Sequence, residues 1–350
     1  MKNKVKEIQI KYQLNHMYDV QNYMFFLELN RDKLPFKIPE WSIIYKAMTH
    51  DIDKFNGDMA KNYCKVREHI LNGVKINYDE LNKNKDLNCI VLHHANNTHH
   101  FEYHDKNNTD FSNLEICEMC CDMASKSKIH HNEVIQYFKE NILNKSDFIK
   151  KHKDEFLSIF QLLKDTNENY TEKALIKKQF IERQLNHIRM VQENMILLEL
   201  NMDKLPFNIP EWEIIYRSMF HDIDKFSPDL ASKFYLIEEY HDNKKNNKSN
   251  DYIDKDKLYE CCDIHYSTQR HHTEYHKKHN EDFSNLDLCE FCADITACAE
   301  RNKNDPEEYF LKNQVNNDPF LQKHKDEICN ILGLLKTLKV KKEKNNQHTL

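Results

Sequence analysis

Two identical hexapeptides, His50-Asp51-Ile52-Asp53-Lys54-Phe55 and His221-Asp222-Ile223-Asp224-Lys225-Phe226, place an imidazole beside a carboxylate. Those two donor types together suit a borderline divalent ion. The chain carries 21 histidines, far more than a structural role demands, and most are clustered. The doublets belong to a larger duplication. Leu27–Ala60 aligns without gaps to Leu198–Ala231 at an offset of 171, with nine differences in 34 positions. Further on the offset becomes 172, pairing His99-His100 with His271-His272. Copies of this size are domains rather than solenoid units.

The duplication supplies an internal comparison. Both copies keep His16 and His187, His50-Asp51 and His221-Asp222, His93 and His265, His99-His100 and His271-His272, and Asp122 and Asp294. His94 drops out because Tyr266 replaces it. The retained set is imidazole and carboxylate without thiolate, which suits Fe, Mn, Co, Ni or Zn. His16, His50, Asp51 and Asp122 could hold one ion. His93 with the His99/His100 pair could hold a second, with Asp51 bridging. We therefore expect one or two divalent transition metals per copy. Two such ions polarise a phosphoryl oxygen and lower the pKa of water.

Lys54 and Lys225 lie three residues after the aspartate. They could hold a substrate phosphate, or pair with Asp51 or Asp58 and their counterparts. Glu102 and Glu274 could orient ligands or move protons, as could Glu118. Cys117 and Cys120, repeated as Cys289 and Cys292, form CxxC mid-helix and are read as small packing residues. Trp41 and Trp212 are read as core anchors.

The elements that must position these side chains are helical. In copy one a helix is expected over about Ile8 to Asn30, with His16, Val20, Tyr23 and Leu27 on one face. Pro39 suits the first turn of a second helix, running from Glu40 to the His50-Asp51 pair. Asp58–Asn72 and Asp79–Asn96 read as the next two. Thr98–His104 reads as a loop. Ser112 with Glu115 makes a capping box for a fifth helix. Two amphipathic segments, Asn132–Ile142 and Asp147–Leu163, close the copy. Copy two repeats this order, with His241–Asn250 added as a mobile loop. The expectation is all-α, with helical domains over 1–166 and 171–338, a hinge over 164–170 and a disordered basic tail over 339–350.

Composition removes several classes. Three glycines and seven prolines exclude turn-dense β folds, and no Gly-rich phosphate loop occurs. The net charge of -6, with both signs interspersed, leaves no nucleic-acid footprint. No run of about 18 apolar residues is available to span a membrane. Met1–Glu7 lacks an apolar signal core, and eleven cysteines without one suggest reduced thiols, so a cytoplasmic location is expected.

The pattern His16, His50-Asp51-x-x-Lys54, His93, His99-His100, Asp122 resembles the HD-domain superfamily. It is closest to an uncharacterised family of short HD-like proteins of bacteria and phages, through His50 to Phe55, His93 to Tyr103 and Glu118-Met119-Cys120-Cys121-Asp122, of which His93 to Tyr103 is the specific motif. The resemblance covers most of each copy. It implies two tandem HD-like helical domains and metal-dependent hydrolysis of a small phosphorylated, nucleotide-like substrate by metal-activated water. It makes His16, His50, Asp51 and Asp122 ligands of one metal, and His93, His99 and His100 donors to a second. In copy two the ligands become His187, His221, Asp222, His265, His271, His272 and Asp294. Two rival expectations are a di-iron oxygenase on the same ligands and a non-catalytic, metal-stabilised binding module.

Overall fold

The structure is a computed structural model describing residues 2–74, 83–84, 87–130, 133–164, 170–315 and 318–347. Among them there are helices and turns and no strand, so the protein is all-α. Two compact units emerge: Met1–Lys178 with Phe226–Ser232, and Gln179–Lys225 with Lys233–Leu350.

Module one begins with α1, Lys2–Leu29. Its apolar residues recur at helical spacing, and Ile10, Leu14, Met17, Val20, Met24 and Leu27 are buried. This face packs against α2, Ser42–Met48, and later helices. Between α1 and α2, Trp41 takes a left-handed φ of 70°, an unfavourable conformation for a bulky residue. The buried Glu28 carboxylate accepts its backbone N–H at 3.0 Å. Trp212 repeats the arrangement at φ 79°, its N–H bonded to Glu199 at 2.7 Å. Both indoles are buried.

The second helix stops earlier than its pattern suggested. Asp51 is left-handed, φ 59°, and Ile52–Phe55 is a short 3-10 turn. In a continuous helix, neighbours point about 100° apart. The break lets His50 and Asp51 serve one centre.

Then follow α3, Gly57–Leu71; α4, Cys89–Asn96; α5, Phe101–Asn107; and α6, Asn113–His130. The fourth helix, expected from Asp79, is described only from Cys89, and most of 75–86 lies outside the described residues. Residues 98–100 form a turn, but the rest of the expected loop is α5. The capping box is present: the Glu115 N–H donates to Ser112 Oγ at 3.3 Å, and the Ser112 N–H to Glu115 Oε2 at 2.7 Å. Val134–Tyr137 (α7), a π turn over Phe138–Ile142, Asp147–Lys151 (α8) and Lys153–Lys164 (α9) finish the module. Of the expected hinge, 165–169 lie outside the described residues.

Module two repeats the order with α10, Glu172–Glu199; α11, Glu213–Ser218; α12, Pro228–Lys245; α13, Glu260–Thr268; α14, Thr273–His279; and α15, Asn285–Arg301. Its core joins Val191, Met195 and Leu198 of α10 to Leu288, Cys292 and Ile295 of α15. Two expectations need correction. Half of the presumed mobile loop is the last turn of α12, and Asn243 within it is buried, donating to Asn250 and Tyr252. The presumed tail continues the last helix, Lys325–Gln347, whose apolar stripe buries Leu335 and Leu338.

Candidate metal centre

In module one, α1 supplies His16, the break after α2 supplies His50 and Asp51, α4 supplies His93, the following turn supplies His99 and His100, and α6 supplies Asp122. All seven side chains are buried and converge. Asp51 lies at the centre. Its Oδ2 is 3.4 Å from Nε2 of both His16 and His50. Its Oδ1 is 3.0 Å from His93 Nε2 and 3.5 Å from His99 Nε2. Asp122 Oδ1 meets His16 Nε2 at 3.0 Å, and His100 Nε2 meets His93 Nε2 at 3.1 Å. Two groups result, His16–His50–Asp51 and Asp51–His93–His99–His100, in each of which the donor atoms lie within 4.8 Å of one another.

The outward nitrogens have acceptors. Glu118 takes His50 Nδ1 at 3.0 Å and lies 3.4 Å from His99 Nδ1. Asp53 takes His93 Nδ1 at 2.8 Å, and Ser125 Oγ faces His16 Nδ1 at 3.0 Å. Protonating Nδ1 in this way turns the Nε2 lone pairs inward. The 3.1 Å contact between His93 Nε2 and His100 Nε2 is met either by one shared proton or by an ion bound to both lone pairs. Asp51 Oδ1, Asp122 Oδ1 and His99 Nε2 are also buried without a well-directed hydrogen bond among the described residues, an arrangement that is costly without a partner. The donor set therefore fits a metal ion.

In module one the two carboxylates and two of the imidazoles are held in the states a metal ion needs. Burial works against the charge on Asp51, yet His50, Lys54 and His93 hold its carboxyl well below the usual range. Burial likewise opposes the Asp122 carboxylate, but Lys126 and His16 keep it ionised. Burial pushes His99 and His100 down, leaving them neutral and able to donate a lone pair. His16 feels the same burial but is raised by Asp122 and Asp51.

Module two reproduces the arrangement. His187 Nε2 is 3.4 Å from Asp222 Oδ2 and 3.1 Å from Asp294 Oδ1. His265 Nε2 is 3.2 Å and His271 Nε2 3.5 Å from Asp222 Oδ1. His272 Nε2 meets His265 Nε2 at 3.0 Å, and Asp222, His265, His271 and His272 form one donor group. Asp222 is left-handed at φ 58°. Glu290 faces His221 and His271, and Asp224 takes His265.

The remaining expected residues sort differently. Lys54 and Lys225 each donate to their aspartate Oδ2 at 2.5 Å, while Lys61 is the partner of Asp58. Glu102 sits 3.3 Å from His94 Nδ1, and His94 stacks on His100. Glu274 is exposed and accepts from Thr273. The CxxC cysteines are buried and unpaired by disulfides, as packing residues would be. Asp53 and Asp224 were missed as carboxylate partners of His93 and His265, although both copies keep them inside the repeated hexapeptide.

The fold and these clusters define the class: a tandem duplication of an all-α module, each copy with a buried His/Asp cluster able to hold a metal ion. The chain belongs to a family of unknown function, DUF5662, whose pattern matches residues 7–173 and again 176–337. No curated protein and no solved structure matches it. The clusters are compatible with an HD-like site. Among the described residues, no helix is long and apolar enough to cross a membrane.

Proposed function

We propose that the chain is a metal-dependent phosphohydrolase of the HD type, with one site per module and a small phosphorylated substrate. The observation that carries this is the chemistry of the two cavities above the clusters. The cavity of module one, about 190 Å³, is lined by Lys54, Arg67 and Lys126 and by no carboxylate. That of module two, about 530 Å³, is lined by Lys225, Arg183 and Arg301, and its only carboxylates are Asp222 and Asp294 of the cluster itself. Three cations at each mouth, with no lining carboxylate beyond those of the cluster itself, favour an anion that approaches the cluster.

His16, His50, Asp51 and Asp122 would hold one ion, and Asp51, His93, His99 and His100 a second; the counterparts would do so in module two. Bound there, divalent ions supply Lewis acidity toward a phosphoryl oxygen and a lowered pKa for water. Glu118 and Glu290 hold the imidazoles in the donor tautomer. Lys54 and Lys225 neutralise the central aspartate and line the mouth, where their ammonium groups can hold a phosphate oxygen. Glu102, on His94, orients the rim of module one; Glu274 has no matching contact.

The test is to strip the protein with chelator, reload it with Mn, Co or Fe, and assay nucleotide and aryl phosphoesters. Hydrolysis that disappears in the Asp51→Ala/Asp222→Ala double variant, with helicity retained by circular dichroism, supports the proposal. Iron-loaded protein that consumes O₂ and cleaves no ester would make it an oxygenase. Metal binding with neither activity would leave a binding module.

A further inference from the structure

The interiors of the two clusters are the same, but their mouths are not. Position 12 of module one corresponds to 183, and 67 to 238. In module one Arg67 lies over the Tyr12 ring at 3.8 Å. In module two the charge has crossed over: Arg183 pairs with Glu238. Lys126, which donates to Asp122 at 2.7 Å, is replaced by Cys298, whose thiol lies 3.5 Å from Asp294. Ile129 is replaced by Arg301. Each mouth thus keeps three cations, of which only Lys54 and Lys225 are equivalent. The surroundings differ as well: Tyr12, Tyr63, Val66 and Ile90 narrow the first cavity, whereas the second is larger and mainly polar.

We propose that the modules take different phosphorylated ligands: module two a larger one with two or more linked phosphates, held by Arg183 and Arg301, and module one a smaller one with a single phosphate and a flat apolar group against Tyr12. Guanidinium groups suit several phosphate oxygens because each offers a planar fork of donors. Arg67 covers one face of the Tyr12 ring, and the exposed remainder of the ring offers an apolar surface for contact. This proposal rests on the phosphohydrolase reading of the same sites.

The experiment is calorimetric titration of the full-length, Mn-loaded protein with tripolyphosphate and, separately, with phenyl phosphate. Arg183→Ser/Arg301→Ser should weaken tripolyphosphate by about tenfold or more and leave phenyl phosphate unchanged. Tyr12→Ala should weaken phenyl phosphate and leave tripolyphosphate unchanged. The rim residues are at least partly exposed, so both variants are expected to fold, which circular dichroism checks. Division of labour is overturned if each variant weakens both ligands equally, or if tripolyphosphate binds at two equal sites per chain. Failure of the wild type to bind either ligand would overturn the phosphohydrolase reading along with it.

Discussion

At the residue scale, the central fact is one carboxylate shared by two donor groups. Asp51 reaches His16 and His50 with one oxygen and His93 and His99 with the other. Removing it should cost both groups of its module. We therefore expect Asp51→Ala to reduce bound transition metal, measured by elemental analysis, by about half, because the Asp222 cluster remains intact. Glu118 acts one step removed, through Nδ1 of His50 and the nearby His99. Glu118→Gln keeps the shape but weakens the acceptor. It should lower metal affinity in module one by about 10- to 100-fold, read by competition with a fluorescent chelator. An unchanged affinity would mean that the imidazoles are oriented by packing alone.

At the element scale, the unusual feature is the turn before the second helix of each module. A tryptophan held at positive φ costs backbone energy, and a buried glutamate compensates by accepting its N–H. Glu199 also accepts the N–H of Ile215 at 3.4 Å, so it organises the start of α11, which leads to His221. Glu199→Ala would strand these buried donors. A loss of about 1–3 kcal/mol is expected in urea unfolding of module two, with weaker metal retention at the His221 cluster. Full metal retention at normal stability would show that the turn forms without the glutamate.

At the scale of the molecule, apo and metal-loaded protein should answer pH in opposite ways. Burial opposes the charge on His187, but hydrogen bonds to Asp222 and Asp294 hold its pKa up at about 9, above the ordinary 6.5. A raised histidine stabilises the fold fully below its unfolded pKa, and that contribution is lost as pH rises through the folded value. Apo protein should therefore lose thermal stability between about pH 6.5 and 9. Metal binding instead needs unprotonated imidazoles, so the gain on loading should grow over the same range. Calorimetric scans of both forms across that range check this; parallel slopes would remove His187 from the metal centre. Chelation at pH 8 should lower the unfolding temperature, since a ligand at 100 times its Kd contributes about 2.7 kcal/mol.

Much of the centre is legible in the chain because it occurs twice. Donor types are intrinsic to residues, and the duplication separates the kept histidines, such as His93, from the replaced ones, such as His94. Helical periodicity, set by local backbone geometry, likewise marks α1 and the capping box of α6. Other features depend on partners far apart in sequence. Nothing local tells that Asp53 faces an imidazole 40 residues on, that Glu118 serves two histidines from separate elements, or that Asp51 is left-handed. The last helix runs on to Gln347 although Val340, Lys341, Lys342 and Lys344 are exposed, so no apolar stripe marks that stretch in the sequence. The mouths are the clearest case. A cation at 126 or 301 is an ordinary surface residue in linear order, and only the folding of separate helices around one cavity brings it to the mouth of the cluster.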